Sequence, residues 1–261
     1  MRRAFSTLGC PDLPLEEIVA LAVKLRVDGA ELRAVAGRID LPEFLAERYG
    51  TPTALAAHLG ARAQLIVSLS TSLKLAAPTE ADRSAFLSFV PWAEALGVRW
   101  LRVFDGGAPG AEGPLVDTLQ WWRTERARHG WRCDVMIETH DTLFTAEAIN
   151  SLGARLPGTA ILWDAFNTWL KGGEDPLRTW EQIRRHVVHV HVKDALRQPS
   201  ASFPWTYVLP GQGEFPFESL LNRLRADGFE GPVSLEWEKL WHPYLAPLEE
   251  AANAAAEKGW R

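Results

Sequence analysis

The fold is read from Val187-Val188-His189-Val190-His191-Val192-Lys193-Asp194. Side chains along a β-strand alternate between two faces. Val188, Val190 and Val192 therefore share one face, while His189, His191 and Lys193 share the other. Helical sequence bounds the run on both sides, so the strand is expected to be buried on both faces. Three ionisable groups enter an interior only with partners or with a task.

Outward from this strand the chain alternates regularly. Strands are expected at 3–7, 30–34, 64–69, 99–104, 133–138, 159–163, 187–192 and 232–237. Helices are expected at 15–25, 41–49, 52–59, 79–96, 115–129, 142–156, 176–185, 217–227 and 244–258. No break is long enough to mark a linker. Such alternation implies right-handed βαβ units and a parallel sheet. Eight units in 261 residues match a (β/α)8 TIM barrel, an α/β fold taken as one domain over 1–261. A doubly wound open sheet is the alternative. It often has a glycine-rich first turn, and Phe5-Ser6-Thr7-Leu8-Gly9 contains no GxGxxG.

Composition narrows the function. Hydrophobic residues make up 47% of the chain, enough for a sizeable core, and the formal net charge is −5. A nucleic-acid binder would more often be basic with a charged stripe, so no nucleic-acid partner and no anionic membrane surface is expected. Cys10 and Cys133 are too few for a secreted disulfide scaffold, which places the chain in a reducing cytoplasm. The first ten residues carry no apolar signal segment, and no apolar run approaches the roughly 18 residues of a membrane span.

In a barrel the site forms at the C-terminal ends of the strands. Here the fifth strand ends in Glu138, the sixth in Asp164, the seventh in His191 and the eighth in Glu236. Each interrupts an apolar run. A lone carboxylate at such a place often only caps the next helix. Three carboxylates converging from adjacent strands would repel one another, and a divalent cation resolves the repulsion. Oxygen-rich ligation with one imidazole suits Mn²⁺, Mg²⁺ or Co²⁺, with Zn²⁺ as an alternative.

These strand ends carry a resemblance. The chain resembles the xylose isomerase-like TIM barrels, the sugar phosphate isomerase/epimerase superfamily that also includes endonuclease IV. The resemblance runs along essentially the whole length. It rests on Asp28-Gly29-Ala30-Glu31-Leu32-Arg33, Ile137-Glu138-Thr139-His140, Trp163-Asp164-Ala165-Phe166-Asn167 and His189-Val190-His191-Val192-Lys193-Asp194. Gly211-Gln212-Gly213-Glu214 and Ser234-Leu235-Glu236 complete it. It implies that Glu138, Asp164, His191 and Glu236 bind one divalent metal. It also implies a proton transfer through a metal-stabilised cis-enediolate of a small sugar, with Glu138 and Glu236 as general base and acid.

Departures from the pattern matter. Many members carry histidine three residues after the sixth-strand Asp, where this chain has Asn167. That favours a single metal over the multi-zinc site of endonuclease IV-type enzymes. Ketohexose 3-epimerases carry a second Glu six residues after the first, where this chain has Phe144, and an Arg six residues after the His ligand, here Arg197.

Lys193 follows His191 on the same face and is expected to reach substrate as a third catalytic group, polarising a carbonyl or stabilising an oxyanion. His140, Asn167, Arg197 and Trp205 are the substrate-binding candidates. His189 is expected to be a hydrogen-bonded core residue, and Glu31 with Arg102 a buried ion pair. The connection 195–216, with Phe203, Trp205 and Tyr207, is unusually long and reads as a lid.

The activity expected is a sugar isomerase or epimerase. The main rival is a dehydratase of the inosose or dehydroshikimate type, which shares the first proton removal. A DNA-repair endonuclease is less favoured, and a non-catalytic sugar-binding barrel least. A small carbohydrate is the expected partner, and pairing into a homodimer stays open.

Overall fold

The computed structural model describes residues 1–110, 112–201 and 203–260. Ala111, Ser202 and Arg261, which fall within the single-domain assignment, lie outside the described residues, as does that one position of the expected lid.

Among the described residues a closed parallel barrel is built from β1 (Arg2–Ser6), β2 (Gly29–Leu32), β3 (Ile66–Lys74), β4 (Trp100–Phe104), β5 (Asp134–Glu138), β6 (Ile161–Asp164), β7 (Val187–Val192) and β10 (Pro232–Leu235). Neighbours in the chain are neighbours in the barrel, and β1 closes it against β10. The outer helices are α1 (Leu15–Lys24), α2 (Leu41–Tyr49), α3 (Pro52–Leu59), α4 (Glu80–Leu87), α5 (Val90–Leu96), α6 (Glu112–His129), α7 (Ala146–Arg155), α8 (Ala165–Leu170), α9 (Pro176–Ile183), α10 (Phe217–Ala226) and α11 (Leu248–Ala255). None is long and apolar enough to cross a membrane.

The expected helix 79–96 is two helices. Pro91 sits in the first turn of α5 and cannot donate a hydrogen bond back into α4. A capping box between Thr79 and Asp82 fixes where α4 begins. The expected helix 142–156 starts four residues late, at Ala146. The N–H groups of His140, Asp141, Thr142 and Leu143 donate instead to the carboxylate of Asp105 at 2.8–3.1 Å. This clasp ties the end of β5 to the turn after β4. β3 runs five residues past its expected end and carries Lys74 up to the barrel mouth.

Gly29 follows from close packing. A Cβ there would lie 2.4 Å from the carbonyl oxygen of Leu65, so only glycine lets β2 sit against the chain entering β3. Outside the barrel, aromatic pairs fill the space under the helices. Trp163 stacks on Trp180 with centroids 6.0 Å apart, and Phe86 meets Trp122 edge-on at 5.2 Å.

Candidate metal centre

The polar layer begins with Glu31 on β2. Its carboxylate accepts from Ser70 at 3.1 Å and lies 2.8 Å from Nε2 of His191. His189, one turn of the alternation deeper, places Nε2 2.7 Å from the hydroxyl of Ser234. Burial pushes His189 down to about 3, so it is neutral at neutral pH. Glu31 behaves in the opposite way. Burial would raise its pKa, but His191 and His189 outweigh that and bring it down to about 2.

Above this layer Glu138, Asp164, His191 and Glu236 converge. Their ligand atoms lie within 4.8 Å of one another, and all four side chains are buried. Asp164 and His191 sit directly across the β6–β7 pairing, and His191 faces Ser234 across β7–β10. Glu138 pairs with Leu162, two residues before Asp164, and Glu236 lies two residues past the partner of His191, so the quartet is staggered along the strands of the closed barrel. His191 Nδ1 is buried without a hydrogen bond, 3.2 Å from Glu236 Oε1 and 3.8 Å from Glu138 Oε1. Because Glu31 engages Nε2, Nδ1 is the ring nitrogen turned into the cup. An imidazole held by a carboxylate on its far nitrogen is the usual arrangement around a metal ligand. The donor set therefore fits a divalent cation. Burial opposes a charge on His191, but Glu236 and Glu31 on either side hold its pKa well above the ordinary value. A metal at Nδ1 would displace that proton.

Glu138 also faces Arg102, whose Nε approaches Oε2 at 3.1 Å off the hydrogen-bond axis. Burial, partly offset by Arg102 and reinforced by Glu236, pushes Glu138 up to about 7. Glu236 goes the other way. Burial alone would raise it, yet His191 and Lys193 hold it well below the carboxylate range.

A match to the profile described as "Xylose isomerase-like TIM barrel" extends over residues 19–260. The chain belongs to that family. Over 99 residues it is also 28% identical to the uncharacterized protein YihM of Escherichia coli strain K12. That alignment spans 37% of this chain and 30% of YihM, so the chain matches under a third of the curated relative's length. Among solved structures, the probable 3-DHS dehydratase AsbF of Bacillus anthracis, involved in petrobactin synthesis, superposes with a TM-score of 0.78 at 19% identity over 98% of both chains. The IOLI protein with a binding zinc atom gives 0.72 at 19% identity, over 99% of this chain and 96% of that one. A D-tagatose 3-epimerase-like protein gives 0.63 at 16% identity over 99% of each. At these identities the likeness is one of fold.

In this xylose isomerase-like barrel a cavity of about 430 Å³ opens over the cup. His140, Asn167 and Trp205 line it, as do Lys193, Glu138 and Glu236. Asn167 is committed to positioning. Its Nδ2 donates to Asp164 Oδ2 at 2.9 Å and to the carbonyl of Thr139 at 3.1 Å. Asp164 in turn accepts the N–H of Asn167 and so caps α8, a short helix not expected from the sequence. One Asp164 oxygen thus caps the helix, while the other accepts from Asn167 and Lys193.

Three expectations need correction. Lys193 does not point a free ammonium at substrate. Its three donors go to Asp164 Oδ2 at 2.7 Å, Glu238 Oε1 at 2.7 Å, and Glu236 Oε2. Carboxylates on three sides leave it no spare N–H. Arg197 does not line the cavity. It is exposed, and its guanidinium lies 4.3 Å over the ring of Trp169. The pair Glu31–Arg102 does not form, because His191 claims Glu31 and Glu138 claims Arg102.

The described residues of the expected lid form regular structure. They include a small antiparallel hairpin of β8 (Asp194–Leu196) and β9 (Thr206–Val208). Asp194 anchors it by accepting N–H groups from Ala195, Gly211, Gly213 and Phe215 at 2.8–3.1 Å. A Cβ at Gly213 would lie 2.1 Å from Asp194 Oδ1, which is why the Gly-Gln-Gly turn needs glycine there. Sequence reasoning missed Glu238, Arg33 and the anchoring task of Asp194. A period-two signal was present for the first two. Glu238 follows Glu236 with the same parity, and Arg33 follows Glu31.

Proposed function

We propose that the protein is a divalent-metal-dependent isomerase or epimerase of a small sugar or sugar derivative. One observation carries the reading: four ligand-type side chains from adjacent strands meet within 4.8 Å, with the Nδ1 of His191 unpartnered among them. A divalent cation held by Glu138, Asp164, His191 and Glu236 would supply Lewis-acid polarisation of a carbonyl and its neighbouring hydroxyl. Glu138 and Glu236 approach from opposite ends of the four-strand arc, so one removes the proton next to the carbonyl and the other returns one. Arg102 and Lys193 hold those two carboxylates in place. The hairpin side chains Trp205 and Tyr207, packed against Phe166, exclude water from the carbanionic stage.

A dehydratase on the same site is the second reading. Glu238 favours it. This further carboxylate lines the cavity and accepts from Lys193 at 2.7 Å and from the Tyr207 hydroxyl at 3.1 Å. An array of that kind can hand a proton to a departing hydroxyl.

The test is solvent exchange. Manganese-loaded protein in D₂O would be incubated with ketoses, ketose phosphates, inososes and keto sugar acids. Deuterium at the carbon beside the carbonyl is the expected outcome, read by mass spectrometry. An isomeric product marks the first reading, and an ultraviolet-absorbing product of water loss marks the second. No exchange across the panel defeats both.

A further inference from the structure

Arg33 lies just past β2, with the inward parity of Glu31. Its backbone N–H donates to Thr7 Oγ1 at 2.8 Å, which fixes the turn that carries it. The residue is 7% exposed and lines the cavity. Its guanidinium makes no hydrogen bond or ion pair among the described residues, and Nη1 is fully buried without a partner. A buried guanidinium in that state is costly unless something supplies the missing acceptor. The nearby carboxylates do not supply it. Glu31 is held by His191 and Ser70, Glu138 by Arg102, and Glu236 by Lys193. Arg102 also stands beside it as a like charge. Burial and Arg102, partly offset by Glu138, Glu31 and Glu236, pull Arg33 down to about 10, so it stays charged at neutral pH.

Two further features point the same way. The indole N–H of Trp205, on the hairpin, lines the same cavity and is likewise buried without an acceptor. At the rim, among the described residues, Lys171 donates to the carbonyl of His140, and Lys74 lies 3.9 Å from Asp141. The cavity thus presents buried N–H donors that its own residues leave without a hydrogen-bond acceptor.

We propose that the substrate carries a carboxylate and that Arg33 receives it. A guanidinium fork matches a planar carboxylate with two parallel hydrogen bonds. A single buried fork suits one such group better than a phosphate dianion, which recruits several cations. The inference rests on the reading of this cavity as the substrate site and narrows the substrate class to polyhydroxylated acids.

Calorimetric titration of manganese-loaded protein with three matched cyclic polyols tests it: quinate, myo-inositol and myo-inositol 1-phosphate. Quinate is expected to bind at least about 30-fold more tightly than myo-inositol, the range for one desolvated charge pair. Arg33→Gln should erase that margin while leaving inositol affinity and metal content unchanged. Its melting temperature should hold or rise, since no internal partner is lost, whereas a structural arginine would give a fall. Arg33→Lys keeps the charge without the fork and should weaken quinate about tenfold, which keeps the test open should the glutamine variant fold poorly. Equal binding of quinate and inositol, no quinate binding at tens of millimolar, or a quinate affinity indifferent to both variants overturns the proposal. Tighter binding of the inositol phosphate overturns it in favour of phosphate. Failure here leaves the solvent-exchange result standing. Failure of metal binding with Arg33-dependent quinate binding intact would sink the isomerase reading instead.

Discussion

Glu31 lies outside the quartet, yet the orientation of His191 depends on it. Its carboxylate lies 2.8 Å from Nε2 and thereby turns Nδ1 into the cup. Glu31→Gln should weaken manganese binding about 10- to 100-fold with the four ligands intact, as loss of such supporting groups does. Equilibrium dialysis of the purified variant measures it, and an unchanged affinity would show that Nδ1 is not the liganding atom. Glu236→Gln tests the quartet itself, and chelator-treated, reloaded protein should then retain much less than one equivalent of metal. Glu138, Asp164, His191 and Glu236 were legible from sequence because each interrupts an apolar strand at its C-terminal end. The partners of Lys193 and Arg102 were not. Which of several carboxylates a long, flexible cation reaches depends on distances across the barrel that a linear pattern does not encode.

The β8–β9 hairpin is held by one carboxylate that collects four N–H groups, and this makes it the most easily disturbed part of the site. Gly213→Ala forces a Cβ to within 2.1 Å of Asp194 Oδ1, so the clasp must open. Proteolytic nicking between β8 and β9 should accelerate several-fold, while the barrel's thermal transition moves little. A nicking rate equal to the parent's would count against the clasp. The eight barrel strands and most outer helices could be placed from periodicity and caps. The failures share one cause. Pro91 splits a long amphipathic pattern, the Asp105 clasp delays α7, and Asp194 folds a stretch that reads as loop. In each case a single residue redirects backbone hydrogen bonds locally, without altering the hydrophobic pattern around it.

Acid sensitivity belongs to the assembled barrel. Glu94 on α5 accepts the N–H of Arg132 at 2.8 Å and of Cys133 at 2.7 Å, tying the helix layer to the entry of β5. Burial would raise its pKa, but these donors and the Arg132 side chain bring it below its ordinary 4.5. A carboxyl group with a depressed folded-state pKa contributes stability that is complete above the unfolded value. That contribution is lost as the pH falls from about 4.5 through the lower folded value. Urea midpoints followed downward from pH 6 should therefore drop less steeply in Glu94→Gln than in the parent. Parallel curves would remove Glu94 from the account of acid unfolding.

Lys193 has a consequence for the order of assembly. By bridging Asp164, Glu236 and Glu238 it ties three carboxylates of the barrel mouth together without an added ion, though its one positive charge offsets only one of their three negative ones. Folding then need not wait for metal supply, unlike small domains whose only cohesion is their ion. The chain is a vessel finished before it is filled. Protein made under metal starvation should show the near-ultraviolet dichroism of the folded state and acquire its ion afterwards, at a rate set by displacement of one ammonium. A starved preparation that is unfolded would show that the cation is part of the scaffold.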